Sequence, residues 1–319
     1  MIPSIFSVHY WKNFIVIMQN SIKSFLRDKC FKMSASLAYY TTFSIGPLVL
    51  ISLWCVGLFY GKTTQSNEVK SKIFTELTEL FSSKIAIQIQ TFVENISNQN
   101  LSGIGVVIGI STVIFTSTTI FIEIQDSLNT IWRIKPKPKR SWLKLIGNRL
   151  LSFSLVVGIS LLSMVSLVIS AFSKLMMNFI SRIFPNLSLP DTFGLVNSSI
   201  TFLLIITLFG LIFKLLPDAK VKTKYIVSGA IFTGILFMLG RYGILLYLQF
   251  NTTATAFGAA GSVIMLLIWI YFSAAILYLG AEFIKETMNF YDEEILPSST
   301  AVRIEQREII LLTKPKQLI

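Results

Sequence analysis

The sequence predicts an all-α integral membrane protein: a bundle of six transmembrane helices, with an N-terminal amphipathic helix and an external helical segment. Three observations carry this. Hydrophobic residues make up 53% of the 319-residue chain and charged residues only 14%, where a soluble globule carries about a quarter charged. The mean hydropathy is +0.68. The polar residues fall in short blocks between apolar runs, each long enough to cross a hydrocarbon core at about 1.5 Å per residue.

Residues 1–33 form a basic arm, not a span. Trp11, Phe14, Ile15, Met18, Ile22 and Phe25 recur at helical spacing, with Lys12, Asn13, Gln19, Asn20, Lys23 and Arg27 elsewhere on the wheel. Such a helix suits the surface of an anionic membrane; packing on the bundle is the other reading. The arm lacks the small-residue cleavage site of a signal peptide.

The membrane domain covers 34–283, with spans at about 34–60, 104–125, 150–172, 195–216, 225–250 and 258–283. An external insert, 61–103, reads as one or two amphipathic helices, because Ile85, Ile89, Phe92, Val93 and Ile96 line one face. The last segment, 284–319, is a cytoplasmic tail, expected to be mobile after Asp292 for want of periodicity. Lys and Arg orient the spans. The arm, the 133–149 and 214–224 loops and the tail hold 21 of them, the intervening segments six. The positive-inside rule therefore places both termini in the cytoplasm, with anionic lipids as expected partners of the arm and inner loops. Topology accounts for the net charge of +12, so no nucleic acid is implied. A homo-oligomer is left open.

Polar side chains within spans are the candidates for function, since lipid penalises them. Thr112, Thr116, Thr119, Glu123 and Asp126 share one helical stripe that ends in two carboxylates. Tyr271, Tyr278 and Glu282 form a second stripe at a matching depth. Tyr40 and Ser44 lead to Pro47, which kinks the first span by removing a backbone hydrogen bond. Arg241 is the basic residue well inside a span, where it would snorkel, pair or attract an anionic group. Together these residues could line a polar path; structural packing and pairing with the basic loops is the competing account. No cofactor is implied. Two cysteines, Cys30 and Cys55, and one histidine, His9, make no Cys/His metal site, and Walker A, HExxH and GxSxG patterns are absent.

Several segments resemble the YihY/BrkB family of bacterial inner-membrane proteins. They are Ser36-Leu-Ala-Tyr-Tyr40 leading to Ser44-Ile-Gly-Pro47, Leu128-Asn-Thr-Ile-Trp132 before the basic loop, and Leu215-Leu-Pro217. Phe257-Gly258, leading to Leu267-Ile-Trp269-Ile-Tyr271, and Gly280-Ala-Glu282 complete the series; Phe257 stands where the family often has tyrosine. The resemblance implies a bacterial inner-membrane location and a similar number of spans. Some family members carry the label ribonuclease BN. This sequence argues against an enzyme, because no cluster of soluble carboxylates could hold catalytic magnesium. Transport or export of a small solute or lipid-like molecule is the leading expectation, and a non-transporting envelope scaffold the alternative.

Overall fold

The computed structural model describes residues 8–43, 119–137, 192–250 and 259–305. Helix α1 (Val8–Arg27) is followed by helical residues 30–43 (α2), helical residues 119–131 (α3) and strand β1 (Ile134–Pro136). Then come α4 (Thr192–Leu215), β2 (Ala219–Lys220), α5 (Thr223–Phe250), α6 (Ala259–Phe290), β3 (Leu296–Pro297) and β4 (Ala301–Arg303). Within α5 and α6, Thr223–Gly243 and Leu266–Phe290 are long and apolar enough to cross a membrane. The third expected span, most of the first and second, and the external insert lie outside the described residues, while the fourth, 195–216, coincides with α4.

The helices hold together by close approach. α6 packs on both α5 and α1, and α5 on α4. At the α5–α6 crossing, a Cβ on Gly280 would stand 1.8 Å from Thr233 Oγ1, and one on Gly229 would stand 2.2 Å from Ile284 Cγ1. The glycines are what let the two backbones approach. Hydroxyls within the helices are satisfied by their own backbone: Ser34 donates to Cys30 O, Thr42 to Ala38 O, Thr233 to Gly229 O and Thr287 to Phe283 O. That pattern keeps a polar residue compatible with an apolar surround.

The core lies at one end of the bundle, here named the basic end. Leu128, Ile131, Phe213, Tyr278, Ile284 and Met288 are all buried there. Three turns at this end need left-handed backbone at a non-glycine residue, Lys29, Arg133 and Asp292. The Leu128–Trp132 segment ends α3 by inserting Trp132, whose Nε1 donates to Ala281 O at 3.1 Å.

The tail corrects one expectation. Residues 293–305 fold back on the bundle. β4 pairs antiparallel with β1, Ile134 opposite Arg303, and β3 pairs antiparallel with β2, Ala219 opposite Pro297. Ser298 N donates to Asp218 O and Ile304 N to Arg133 O, while Ile295 and Ala301 are buried. Hydrophobic periodicity does not register such a segment, because backbone pairing to two short loop strands holds it. α6 also continues past the expected end of its span at 283, to Phe290.

α1 resolves into three faces. Ile17, Ser21, Ser24 and Phe25 are buried, and Phe14 meets Phe283 with ring centroids 6.0 Å apart. Trp11, Ile15, Ile22 and Leu26 point outward, and Lys12, Gln19, Asn20, Lys23 and Arg27 form the exposed polar face.

Candidate functional site

Two polar assemblies stand at the basic end. The first is an ion-pair hub. The turn between α1 and α2 places Asp28, whose side chain is 2% exposed, against Arg133 Nη2 and 2.8 Å from Lys285 Nζ. Lys285 Nζ also lies 2.7 Å from Glu282 Oε2, one turn earlier on α6. This is an ion contact without the alignment of a hydrogen bond. Lys285 is thus the cation common to two buried carboxylates. Ser24 donates to Glu286 at 2.7 Å, and Arg27 to Ser24 at 2.9 Å, extending the hub along α1.

Burial pushes the Asp28 carboxyl up, but the Lys285 hydrogen bond and charge, with Arg133 behind them, hold it below its ordinary value of 3.8. Burial and then the charges of Glu282 and Asp28 push the neighbouring Cys30 thiol well up, so it stays protonated. The Asp28 contribution to stability is therefore fully present above pH 3.8. It is lost as pH falls through the lowered value. The stability difference between the wild type and Asp28→Asn should shrink as pH falls from about 5 to below about 4. Thermal unfolding in detergent across that range checks it.

The second assembly lies deeper. Tyr278 and Glu282 on α6 are fully buried. The Tyr278 hydroxyl is within reach of Ser127 on α3, and the charges of Glu123 on α3 and Cys30 on α2 act on it. The Ser127 contact lacks the alignment of a full hydrogen bond. The Cys30 thiol points to Glu282 Oε1 at 3.9 Å. Phenol, thiol, hydroxyl and two carboxylates thus gather where α2, α3 and α6 meet.

Of the sequence-predicted site residues, this assembly contains Glu123, Tyr278 and Glu282. Thr119, the first described residue of α3, and Tyr271, near the middle of α6, are half-buried, Tyr271 stacking on Phe31 with centroids 6.3 Å apart. Tyr40, Asp126 and Arg241 lie on the exposed surface. Asp126 turns outward while its neighbours Gln125 and Ser127 turn in. Ser44, Pro47, Thr112 and Thr116 lie outside the described residues. Among the described residues no group of three or more His, Cys, Asp or Glu could hold a metal ion.

Sequence reasoning missed Asp28, Arg133 and Lys285 as a unit, and a lock beside them. Gln125 and Asn129 donate to Asp218 Oδ2 at 3.2 and 3.1 Å, and Asp218 N donates back to Asn129 Oδ1 at 2.9 Å. The signal for the lock was present: Asn129 sits inside Leu128–Trp132, and Asp218 directly follows Leu215-Leu-Pro217.

Those motif segments now have positions in the fold, and the comparison with known proteins gives them a family. The family described as Virulence factor BrkB matches residues 21–305. The chain belongs to this family. Its BrkB-family relatives include a UPF0761 membrane protein of Haemophilus influenzae (strain 86-028NP), 27% identical over 275 residues, covering 86% of this chain and 95% of the relative. Another, from Aliivibrio fischeri (strain ATCC 700601 / ES114), is 25% identical over 322 residues, covering 97% and 93%. A third, from Pseudoalteromonas translucida (strain TAC 125), is 26% identical over 254 residues, 77% of each chain. No solved structure matches. BrkB-family membership and relatives named as membrane proteins place this chain in a membrane, in accord with the apolar α5 and α6. The match begins inside α1 and ends at the last described residue, so it takes in the hub, the lock and both tail strands.

Proposed function

We propose that the protein is a six-span transporter or exporter of the bacterial inner membrane, with both termini and the basic end in the cytoplasm. A small solute or lipid-like molecule passes along a polar path between helices. The carrying observation is the Tyr278 hydroxyl: fully buried, met by Ser127 without good alignment, and with Glu123 near it. A buried hydroxyl whose hydrogen bonds are poorly made costs up to about 1–3 kcal/mol, so tyrosine rather than phenylalanine at this position favours a polar surround. A path that water or a polar cargo enters supplies that surround. The hub then closes the inner mouth, with Lys285 bridging Glu282, on the path, to Asp28, on the turn between α1 and α2. Thr119 and Tyr271 continue the lining toward mid-membrane, and Ser44, Pro47, Thr112 and Thr116 are its extension. The chain itself performs no covalent chemistry in this reading.

The test is accessibility. In a Cys30→Ser, Cys55→Ser background, Glu123→Cys should react with a charged, membrane-impermeant methanethiosulfonate reagent in sealed vesicles of one orientation. An apolar control, Leu128→Cys, should not react. Equal silence at both positions, relieved only by denaturant, contradicts a polar path.

A further inference from the structure

From the rotation and crossing of α1 we infer that this helix is an interfacial lipid-binding element. Its outward stripe sits at the acyl–headgroup boundary of the membrane leaflet at the basic end, and its lysines bind anionic phospholipid headgroups.

The crossing geometry is the first support. Phe14 packs on Phe283, Ser24 bonds Glu286 and Asp28 pairs with Lys285. Phe14 and Ser24 are about 15 Å apart along α1, with Asp28 just beyond its end, whereas their partners span only about 4.5 Å of α6. α1 therefore runs across α6, which has the length and apolar composition of a membrane span. A helix crossing a span steeply, at the level where that span becomes polar, lies in the membrane plane. The Asp28–Lys29 turn, with Lys29 in left-handed backbone, then sends α2 back along α6. Cys30 of α2 is beside Glu282, and Ala38 packs with Leu266 and Ile270.

The faces of α1 are the second support. With the Phe14–Ile17–Ser21–Ser24 side docked, Trp11, Ile15, Ile22 and Leu26 form one stripe at spacings of four, seven and four. Trp11 is 56% and Leu26 57% exposed. The stripe runs beside exposed Phe31 of α2, which meets Phe25 at 4.9 Å, so it continues onto a helix that enters the bundle. Lys12 and Lys23 each follow a stripe residue by one position and are exposed. That places their ammonium groups on the water side of the stripe, where they can snorkel to headgroups. A wide apolar face edged by lysine is how an interfacial helix is built, and the charge selects anionic lipid.

The experiment uses the full chain in nanodiscs of phosphatidylcholine, with or without phosphatidylglycerol. Spin labels are placed singly at Ile15→Cys, Leu26→Cys and Asn20→Cys in the Cys30→Ser, Cys55→Ser background. The labels at 15 and 26 should collide preferentially with oxygen, and the label at 20 with a water-soluble nickel chelate. Nickel accessibility at 15 and 26 equal to that at 20 overturns the proposal. So does dipolar broadening between identical labels at those sites, which would mean that a second copy covers the stripe. Phosphatidylglycerol should raise the unfolding temperature, and Lys12→Glu with Lys23→Glu should abolish that rise. A rise that survives the double substitution overturns the headgroup assignment.

Discussion

Lys285→Met should be the most damaging single substitution at the basic end, costing about 3–5 kcal/mol as expected when one partner of a buried ion pair is removed. The size follows from what is left behind. Asp28 keeps Arg133, but fully buried Glu282 loses the cation that lies 2.7 Å away. An uncompensated carboxylate in that setting must take up a proton or destabilise the fold. Replacing Glu282 as well, in Lys285→Met with Glu282→Gln, should therefore recover much of the loss, giving a coupling of about 0.5–3 kcal/mol in a double-mutant cycle. Cys30 provides the readout, because it is a buried free thiol beside the hub. In a Cys55→Ser background, its modification by a thiol-reactive dye reports opening of this end of the bundle. A Lys285→Met protein that opens at the wild-type temperature would show that the hub is too well hydrated to matter.

Gly280→Ala should also destabilise, against the local preference of the helix. Alanine is favoured over glycine by about 1 kcal/mol in a helix interior, so propensity alone predicts a gain. Packing reverses the sign. The new Cβ would lie 1.8 Å from Thr233 Oγ1 and 3.0 Å from both Thr233 Cβ and Phe213 Cζ. Thr233 and Phe213 are themselves buried, and Thr233 is branched at Cβ, so neither can swing clear. The backbones of α5 and α6 must part, a strain of about 1–3 kcal/mol or more. Adding Thr233→Ala removes the nearest atom and should restore part of the loss, although the 3.0 Å contacts with Thr233 Cβ and Phe213 Cζ remain. Unfolding followed by Cys30 modification distinguishes the two signs.

The parts of this protein readable from its sequence are those that follow one-dimensional rules. Apolar run length shows in α5 and α6. The amphipathic arm showed in the alternation of Lys12, Asn13, Gln19 and Lys23 with Phe14, Ile15 and Met18. Which apolar face of that arm docks and which stays outward was not readable, because the choice is made by Phe283, Phe232 and Glu286, far away in sequence. Tyr278 and Glu282 of the second stripe, four apart, are both buried on α6, since helical spacing is local. Asp126, placed by spacing at the end of the first stripe, turns outward, because the bonds of Gln125 and Asn129 to Asp218 fix the rotation of α3. The hub was invisible for a similar reason. In the sequence Asp28 is the one acid of residues 1–33 and Lys285 follows the last apolar run, and only the turn at Lys29 brings them within 2.8 Å. The tail strands pair through backbone, which leaves no side-chain pattern to find.

The claim on which the rest depends is that the Tyr278 hydroxyl faces a space that water can enter. Hydroxyl-radical footprinting by synchrotron radiolysis tests this most directly, because buried side chains are modified on a millisecond scale only when water lies against them. In the full-length protein in nanodiscs, Tyr278 should be oxidised despite its complete burial. Phe213, which is equally enclosed at 1% exposure but surrounded by apolar neighbours, should be protected once each rate is normalised to intrinsic reactivity. Equal protection of Tyr278 and Phe213 would mean a dry contact between α3 and α6, and would contradict the polar path.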